Sequence, residues 1–236
     1  SQNPAERGSF LSTDERALVT SVPDTNCTAQ EENAGVQRRA ELALLGSQEL
    51  TDTLRQLLIS NALLLPAQKR TLDVLDEGDS ALCVMATGRG KSLIFHIHAV
   101  RRALLAHTAS LFVYPLRALV NDQAHHFESA FAALGVTAAT LTGETAQDDR
   151  KKIFRSLAEG SVDVILTTPE FLSFHGAEFA ESKRVSFVVI DEAHHVGQAA
   201  AEGRHAYAKM PLILQQLEHP QVLALTATAK SDTAKT

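Results

Sequence analysis

The stretch ALCVMATGRGKSLIF, residues 81–95, decides the fold. It begins with an apolar run, continues through a polar segment that contains glycine, and ends where apolar residues start to recur at helical spacing. This succession predicts a strand over Ala81–Met85, a tight loop, and a helix over Leu93–Leu105. Met85 stands where such loops usually begin with glycine, but the strand and helix on either side are the context that phosphate-binding loops require.

The loop carries the residue types that hold nucleotide phosphates. Gly88 and Gly90 allow the backbone to approach a ligand closely, so that successive N–H groups can point at phosphate oxygens at a helix start. Lys91 would neutralise the outer phosphates, and Ser92 offers a hydroxyl to Mg²⁺. An exposed loop with a chance lysine is the alternative. The residues of this segment that are predicted to bind nucleotide phosphates and Mg²⁺ are Thr87, Gly88, Arg89, Gly90, Lys91 and Ser92.

Beyond this segment, short apolar runs alternate with longer stretches of helical periodicity. Most of the runs are continuously apolar, which is typical of parallel strands that are covered by helices on both faces. The sequence therefore predicts an α/β fold with a doubly wound, mostly parallel sheet. The predicted strands are Ala81–Met85, Leu111–Tyr114, Ala138–Leu141, Val162–Leu166, Phe187–Ile190 and Val222–Leu225.

Polar or turn-forming residues follow nearly every predicted strand. Since ligands of parallel sheets bind outside the carboxyl ends of the strands, we expect the functional residues at that edge. Asp191 and Glu192 directly follow a buried strand, where two adjacent acids are costly unless they have a function or a partner that stabilises their charge. Asp191 suits Mg²⁺ coordination, directly or through water, and Glu192 suits polarising the water that attacks a phosphate. A solvated turn after the strand is the alternative.

The 236-residue chain has the composition of an ordinary globular protein, with 44% hydrophobic and 21% charged residues. A formal net charge of −6 argues against a nucleic-acid clamp over the whole surface, although it allows a local basic path. Cys27 and Cys83 form no CxxC pair and support neither a disulfide framework nor a zinc site. No apolar run approaches the roughly 20 residues that cross a bilayer, so we expect no membrane contact and a cytoplasmic location.

The chain divides into two predicted parts. Residues 1–62 form a polar lead-in and a helical extension, with helices expected from about Thr28 to Leu45 and from Ser47 to Asn61. Residues 63–236 form the α/β domain, whose first helix is expected to begin at Pro66. The helical pair is interpreted as a cap on this domain, and a partner-binding module is the alternative.

His96 and His98 lie two positions apart in a predicted helix and therefore point to different faces. This spacing favours structural packing over a shared metal ion.

Five short motifs run through the α/β domain in the order of one family. They read MATGRGKS, YPLRALVNDQ, TTPE, DEAH and ALTATA, between residues 85 and 229. They resemble motifs I, Ia, Ib, II and III of superfamily 2 helicases, and within that superfamily of the RecQ-like DNA helicases. The resemblance implies a RecA-like domain, the first motor domain of an ATP-dependent helicase that moves on or unwinds DNA. It also implies that Gln68, 23 positions before Lys91, reads the edge of adenine, since an amide can both donate and accept.

The same resemblance implies roles for further residues. Lys91, Asp191 and Glu192 would act in ATP hydrolysis. Motifs Ia and Ib touch the nucleic-acid backbone in the family, which nominates three residues here: Arg117, Asn121 and Thr168. For Arg117, a cation on a helix surface is the alternative. The residues that would contact nucleic acid or couple it to nucleotide state are His194, Gln198, Arg204, Thr226 and Thr228. The implied partners are single-stranded or branched DNA and a second RecA-like domain, and a bacterial protein of this kind would be associated with the nucleoid.

The chain departs from the RecQ-like pattern in three respects. After DEAH it has Ala199 and Gly203 where the family's aromatic-rich loop has tryptophan and phenylalanine. Stacking on such rings contributes about 1–3 kcal/mol per base, so strand sensing is expected to be weaker or to lie elsewhere. Asn61 takes the place of an aromatic residue that stacks on adenine, and Leu64 and Leu65 replace phenylalanine and arginine. Motifs IV to VI are missing, so the chain alone is expected to bind ATP weakly, turn it over poorly and unwind nothing.

Two other functions stay open. The altered aromatic loop is compatible with a noncatalytic, nucleotide-responsive clamp on nucleic acid, and DEAH is compatible with an RNA helicase of the same superfamily. ATP turnover with and without single-stranded DNA, and competition between DNA and RNA, would separate these functions.

Overall fold

The computed structural model describes residues 25–85, 90–194 and 205–227. Neighbouring strands in this part of the chain all pair in parallel. The strands are β1 (Ala81–Val84), β2 (Ala109–Val113), β3 (Ala138–Leu141), β4 (Val164–Thr167), β5 (Val185–Ile190) and β6 (Gln221–Thr226). They form one sheet in the order β1-β6-β5-β2-β4-β3. Each predicted run overlaps a strand, and the predicted α/β fold with a parallel sheet is confirmed.

Helices cover both faces of this sheet, as the continuously apolar strands predict. The helices are α1 (Thr25–Ala43), α2 (Ser47–Ile59), α3 (Pro66–Asp76), α4 (Lys91–Leu105), α5 (Arg117–Phe131), α6 (Gln147–Glu159), α7 (Pro169–Glu181), α8 (His205–Ala208) and α9 (Met210–Gln216), and a short 3-10 helix, Ala132–Leu134, follows α5. One apolar core joins α1 to α5 with one face of the sheet, and a second core joins α6 to α9 with the opposite face.

Most element boundaries lie within two or three residues of the predicted ones. Strand β4 starts at Val164 rather than Val162, because the N–H groups of Ser161 and Val162 donate to the Ser156 carbonyl at the end of α6. These two N–H groups bond to the end of α6 and not to a neighbouring strand, so the strand begins two residues later. Helix α1 starts at Thr25, three residues before the predicted start.

The helical extension is attached to the α/β core by an ion pair between a partly buried arginine and a buried carboxylate. Arg39 of α1 donates to both carboxylate oxygens of Asp163, at 2.6 and 2.9 Å, and also to the main-chain oxygen of Gly135 at 2.7 Å. The Asp163 carboxylate is 1% exposed and accepts a further bond from the Thr137 N–H at 3.0 Å. Since Gly135 and Asp163 precede β3 and β4, this anchor lies at the amino ends of the strands.

The two histidines of α4 pack into the protein interior, as their spacing predicts. The His96 ring contacts Phe95, Phe127 and Phe131, whereas His98 bonds to Gln221 at 2.8 Å on another face of the helix. No group of three or more His, Cys, Asp or Glu residues that could hold a metal ion occurs among the described residues. Within the same residues, none of the helices has the length and apolar character needed to cross a membrane.

Candidate nucleotide-binding site

A cleft of about 400 Å³ opens at the carboxyl ends of the central strands. It brings together the phosphate-loop residues Lys91 and Ser92 with Asp191, which is 100 positions further along the chain. Parallel strands explain this convergence, because their carboxyl ends share one edge of the sheet. The cleft is lined by Gly90, Lys91, Ser92, Phe95, Tyr114, Leu119, Gln123, Asp191 and Leu225.

Gly90 begins the helix that faces this cleft. Its φ of +75° lies in the left-handed region, which glycine adopts without strain. A side chain here would also collide with a neighbour, because a Cβ on Gly90 would lie 2.6 Å from Nε2 of Gln68. The Leu93 N–H donates to the Gly90 carbonyl at 3.2 Å. The N–H groups that precede it in the first turn of α4 have no carbonyl partner within the helix and carry the positive end of its dipole, so this terminus suits an anion. Thr87, Gly88 and Arg89 lie outside the described residues, and their roles stay predictions.

Lys91 and Asp191 face each other across the cleft. Nζ of Lys91 lies 4.0 Å from Oδ1 of Asp191, and both side chains are largely buried. Burial raises the pKa of Asp191 above its ordinary value, and the nearby Lys91 ammonium opposes this shift only in part. A cation bound beside the carboxylate would stabilise its charged form. The charged form is the one that coordinates Mg²⁺.

Glu192 and His194 connect the end of β5 to the end of β6. Nδ1 of His194 lies 3.3 Å from Oε2 of Glu192 and 3.1 Å from Oγ1 of Thr226. The Thr226 hydroxyl donates its own hydrogen to the Ala227 carbonyl at 3.1 Å, so it accepts from His194. Nδ1 of His194 therefore contacts both a carboxylate and a hydroxyl, and these two groups belong to different motifs. The sequence predicted coupling roles for His194 and Thr226 but not this contact with Glu192.

Gln68 is 4% exposed and holds the start of α4 in place. Its Oε1 accepts from the Leu65 N–H at 2.8 Å, and its Nε2 donates to the Gly90 carbonyl at 3.0 Å. A second cleft of about 400 Å³ adjoins Gln68 and shares Gly90 and Ser92 with the first. Its remaining walls are mainly aliphatic side chains, and Asn61 is not among them; the lining residues are Leu58, Ile59, Ala62, Leu63, Leu65, Leu93 and His96. The arrangement leaves room for a flat apolar group next to the start of α4.

Tyr114 is a polar residue of the first cleft that the sequence did not single out. It appeared as the last residue of an apolar run and the first residue of YPLRALVNDQ, and no role was assigned to its hydroxyl. The side chain is 3% exposed, and its hydroxyl has no hydrogen-bond partner among the described residues. Burial and the nearby negative charge of Asp191 both raise the pKa of this phenol, so it stays protonated and can donate a hydrogen bond.

Two of the three predicted nucleic-acid contacts line a separate groove of about 500 Å³. Arg117 is exposed there and forms an ion pair with Glu144. Thr168 is buried, and its Oγ1 accepts from the Phe171 N–H at 3.3 Å, which caps α7. Asn121 is exposed on α5 and does not line the groove.

The groove also has an aromatic rim that the sequence did not predict. Phe174 is 78% exposed, and the Lys209 ammonium lies 5.4 Å from its ring centre. The predicted residues Gln198, Arg204 and Thr228 lie outside the described part of the chain.

Known proteins and one family model match most of this chain. The family model described as DEAD/DEAH box helicase matches residues 65–236. The ATP-dependent DNA helicase Q-like 2 of Arabidopsis thaliana is 31% identical over 170 residues, which are 69% of this chain and 23% of the relative. The ATP-dependent DNA helicase RecQ of Bacillus subtilis is 30% identical over 158 residues, which are 66% of this chain and 25% of the relative.

Solved structures share the fold. The structure of the helicase Lhr of Mycobacterium smegmatis bound to single-stranded DNA and AMP-PNP matches with a TM-score of 0.62 and 25% identity, over 75% of this chain and 25% of that one. The DUF1998 helicase MrfA bound to DNA matches with a TM-score of 0.62 and 20% identity, over 75% of this chain and 26% of that one. The chain therefore spans about a quarter of the length of these proteins.

Proposed function

Because this chain belongs to the DEAD/DEAH box helicase family, we propose that it is the ATP-binding motor domain of a RecQ-like, ATP-dependent DNA helicase. The observation that carries the proposal is the pairing of Lys91 with Asp191 across a cleft at the start of α4. A positive helix terminus, an ammonium group and a buried carboxylate together suit a nucleotide triphosphate with its divalent cation.

ATP and Mg²⁺ fit the residues that line this cleft. Lys91 and the N–H groups at the start of α4 would hold the outer phosphates, while Ser92 and Asp191 would hold Mg²⁺, in part through water. The raised pKa of Asp191 supports this assignment, because burial disfavours the charged carboxylate and Lys91 offsets that effect only in part. Mg²⁺ would neutralise charge on the phosphates during transfer. Gln68 and the aliphatic second cleft would receive the adenine.

Glu192 would orient and polarise the attacking water. Its carboxylate contacts Nδ1 of His194, and His194 contacts Thr226 at the end of β6. A change in charge at Glu192 or at the terminal phosphate can therefore reach a residue of the next motif through one imidazole. This link supports coupling between nucleotide state and the grip on nucleic acid.

DNA is the proposed nucleic acid, bound through the groove of Arg117. The DNA-helicase names of the relatives support DNA over RNA. The ion pair with Glu144 is exposed and weak, so Arg117 can exchange it for a backbone phosphate. Thr168 would act mainly by fixing the start of α7, because its hydroxyl is already used as the helix cap. A protein that works on DNA in this way would act in the cytoplasm, and at the nucleoid in a bacterium.

A second RecA-like domain is the proposed intramolecular partner. The relatives are about four times as long as the matched region, which leaves room for such a domain. In related phosphoryl transfer an arginine supplied from outside the phosphate-binding domain contributes roughly 10³–10⁵ in rate. We therefore expect the present chain to bind ATP–Mg²⁺ but to hydrolyse it slowly on its own.

Thermal melting tests the nucleotide site directly. At 100 times its dissociation constant, ATP–Mg²⁺ should stabilise the chain by about 2.7 kcal/mol. Lys91→Ala should remove this stabilisation. Lys152→Ala is the matched control and should keep it, because Lys152 is an exposed lysine of α6 that pairs only with Asp149 in the described structure. Equal stabilisation of wild type and Lys91→Ala would reject the site.

Turnover separates the motor from the alternatives. In the protein that contains the second domain, single-stranded DNA should stimulate ATP hydrolysis, and Glu192→Gln should abolish it. ATP binding without turnover would identify a noncatalytic clamp instead. Stimulation by RNA but not by DNA, at a stated salt concentration, would identify an RNA helicase.

A further inference from the structure

Strand register places Tyr114 next to Asp191 in the nucleotide cleft. Val113 pairs with Ile190 at the ends of β2 and β5, so Tyr114 and Asp191 are the first residues beyond that pair. Side chains alternate between the two faces of a sheet. Since Val113 and Ile190 pack into the core of α6 to α9, the next residue of each strand turns to the face of α4.

The hydroxyl of Tyr114 is not explained by packing. A buried hydroxyl without a hydrogen bond is unfavourable, and phenylalanine fills the same space without that penalty. Phe95 shows that the walls of this cleft accept such a ring. The charged residues that line the cleft are Lys91 and Asp191, and these are the residues assigned above to the outer phosphates and Mg²⁺.

We propose that Tyr114 is a positioning residue of this cleft, whose hydroxyl donates a hydrogen bond to an oxygen of the terminal phosphate of bound ATP. The inference rests on the proposed function. Because the phenol is neutral, it adds a donor without adding charge next to Lys91. A bond to the terminal phosphate would be absent with ADP, so Tyr114 would help the cleft to distinguish triphosphate from diphosphate.

Tyr114→Phe tests this role by three measurements: the affinity for a triphosphate analogue, the affinity for a diphosphate, and the melting temperature. The affinity for the non-hydrolysable analogue AMP-PNP with Mg²⁺ should fall about ten-fold, while the affinity for ADP with Mg²⁺ stays within two-fold of wild type. The melting temperature without nucleotide should stay equal or rise, because the variant removes an unpaired buried hydroxyl. A purely structural tyrosine would give lower stability and an unchanged ratio of the two affinities.

Tyr207→Phe is the matched control, since the chain has only two tyrosines. Its hydroxyl is also buried but donates to the main-chain oxygen of Asp191 at 3.5 Å. This variant should leave the ratio of AMP-PNP to ADP affinity unchanged. An unchanged ratio in Tyr114→Phe as well would overturn the inference and leave the nucleotide site intact. Failure of wild type to bind either nucleotide would overturn the proposed function and this inference together.

Tyrosine fluorescence gives a second test that does not depend on the folding of Tyr114→Phe. The chain has no tryptophan, so in the Tyr207→Phe background Tyr114 is the only tyrosine that emits. Inorganic tripolyphosphate with Mg²⁺ does not absorb where tyrosine does, and it should change this emission, whereas pyrophosphate with Mg²⁺ should change it much less. Equal effects of the two anions would contradict a contact with the terminal phosphate.

Discussion

Replacement of Arg39 by methionine should destabilise the domain far from its nucleotide cleft. The change keeps the length of the side chain but removes both bonds to the Asp163 carboxylate, at 2.6 and 2.9 Å. Loss of one partner of a buried ion pair costs about 3–5 kcal/mol, because the remaining charge is left in the interior. Asp163 keeps its bond from the Thr137 N–H, and α1 can lift to admit water, so we expect about 3 kcal/mol.

Urea unfolding followed by far-ultraviolet circular dichroism measures this cost, since the chain has no tryptophan to report it by fluorescence. For a domain of this size, about 3 kcal/mol corresponds to a decrease of about 6–12 °C in melting temperature. Arg38→Met is the control, because Arg38 lies one position away and forms only an exposed pair with Glu41 in the described structure. It should change stability by less than about 0.5 kcal/mol.

A double variant shows whether the cost comes from the buried charge. Asp163→Asn in the Arg39→Met background removes that charge, so it should restore part of the lost stability rather than add to the loss. The affinity for nucleotide should stay unchanged, since the pair lies at the amino ends of the strands. Equal effects of Arg39→Met and Arg38→Met, or a double variant that loses the sum of both single changes, would refute the reasoning.

Three further measurements follow from the geometry. Burial lowers the pKa values of His96 and His98 from an ordinary value of 6.5 to about 4, so the folded state favours their neutral forms. The free energy of unfolding, measured by urea titration, should therefore stay constant above pH 6.5 and fall by about 2 kcal/mol per histidine between pH 7 and pH 5. A flat profile would contradict their burial. Gly90→Ala should cost at least 1 kcal/mol in melting experiments, because of its φ of +75° and the contact with Gln68, and a neutral effect would mean that the start of α4 adjusts freely. Arg117→Ala in the protein with its second domain should reduce the slope of log affinity for DNA against log salt by about one, while an unchanged slope would place the phosphate contact elsewhere.

The fold was largely predictable because each strand is a short apolar run between polar turns. The order of the strands was not, since periodicity reports burial and says nothing about which neighbours pair. The meeting of Lys91 with Asp191 followed from one rule, that the carboxyl ends of parallel strands share an edge. Arg39 and Asp163 are 124 positions apart and belong to no motif, so only the folded chain shows that they form a pair.

The details of the site were less predictable than its location. Tyr114 reads as the end of an apolar run, because an aromatic residue with a polar tip resembles a core residue in the sequence. Gln68 was assigned to adenine, but the structure shows that its amide also bonds to the Gly90 carbonyl and the Leu65 N–H. A local sequence pattern indicates which residues could bind a ligand. The contacts that those residues make with the rest of the protein depend on how distant segments pack, and a local pattern does not report them.

The backbone conformation of Glu192 affects what a substitution at this position changes. Its φ of +51° is a conformation that costs a side chain other than glycine, asparagine or aspartate about 1 kcal/mol or more. Substitution by glutamine keeps that strain, whereas substitution by asparagine removes the carboxylate and relaxes the turn at the same time. A comparison of the two variants would separate the electrostatic contribution of the acid from the conformational energy held in the segment that carries it.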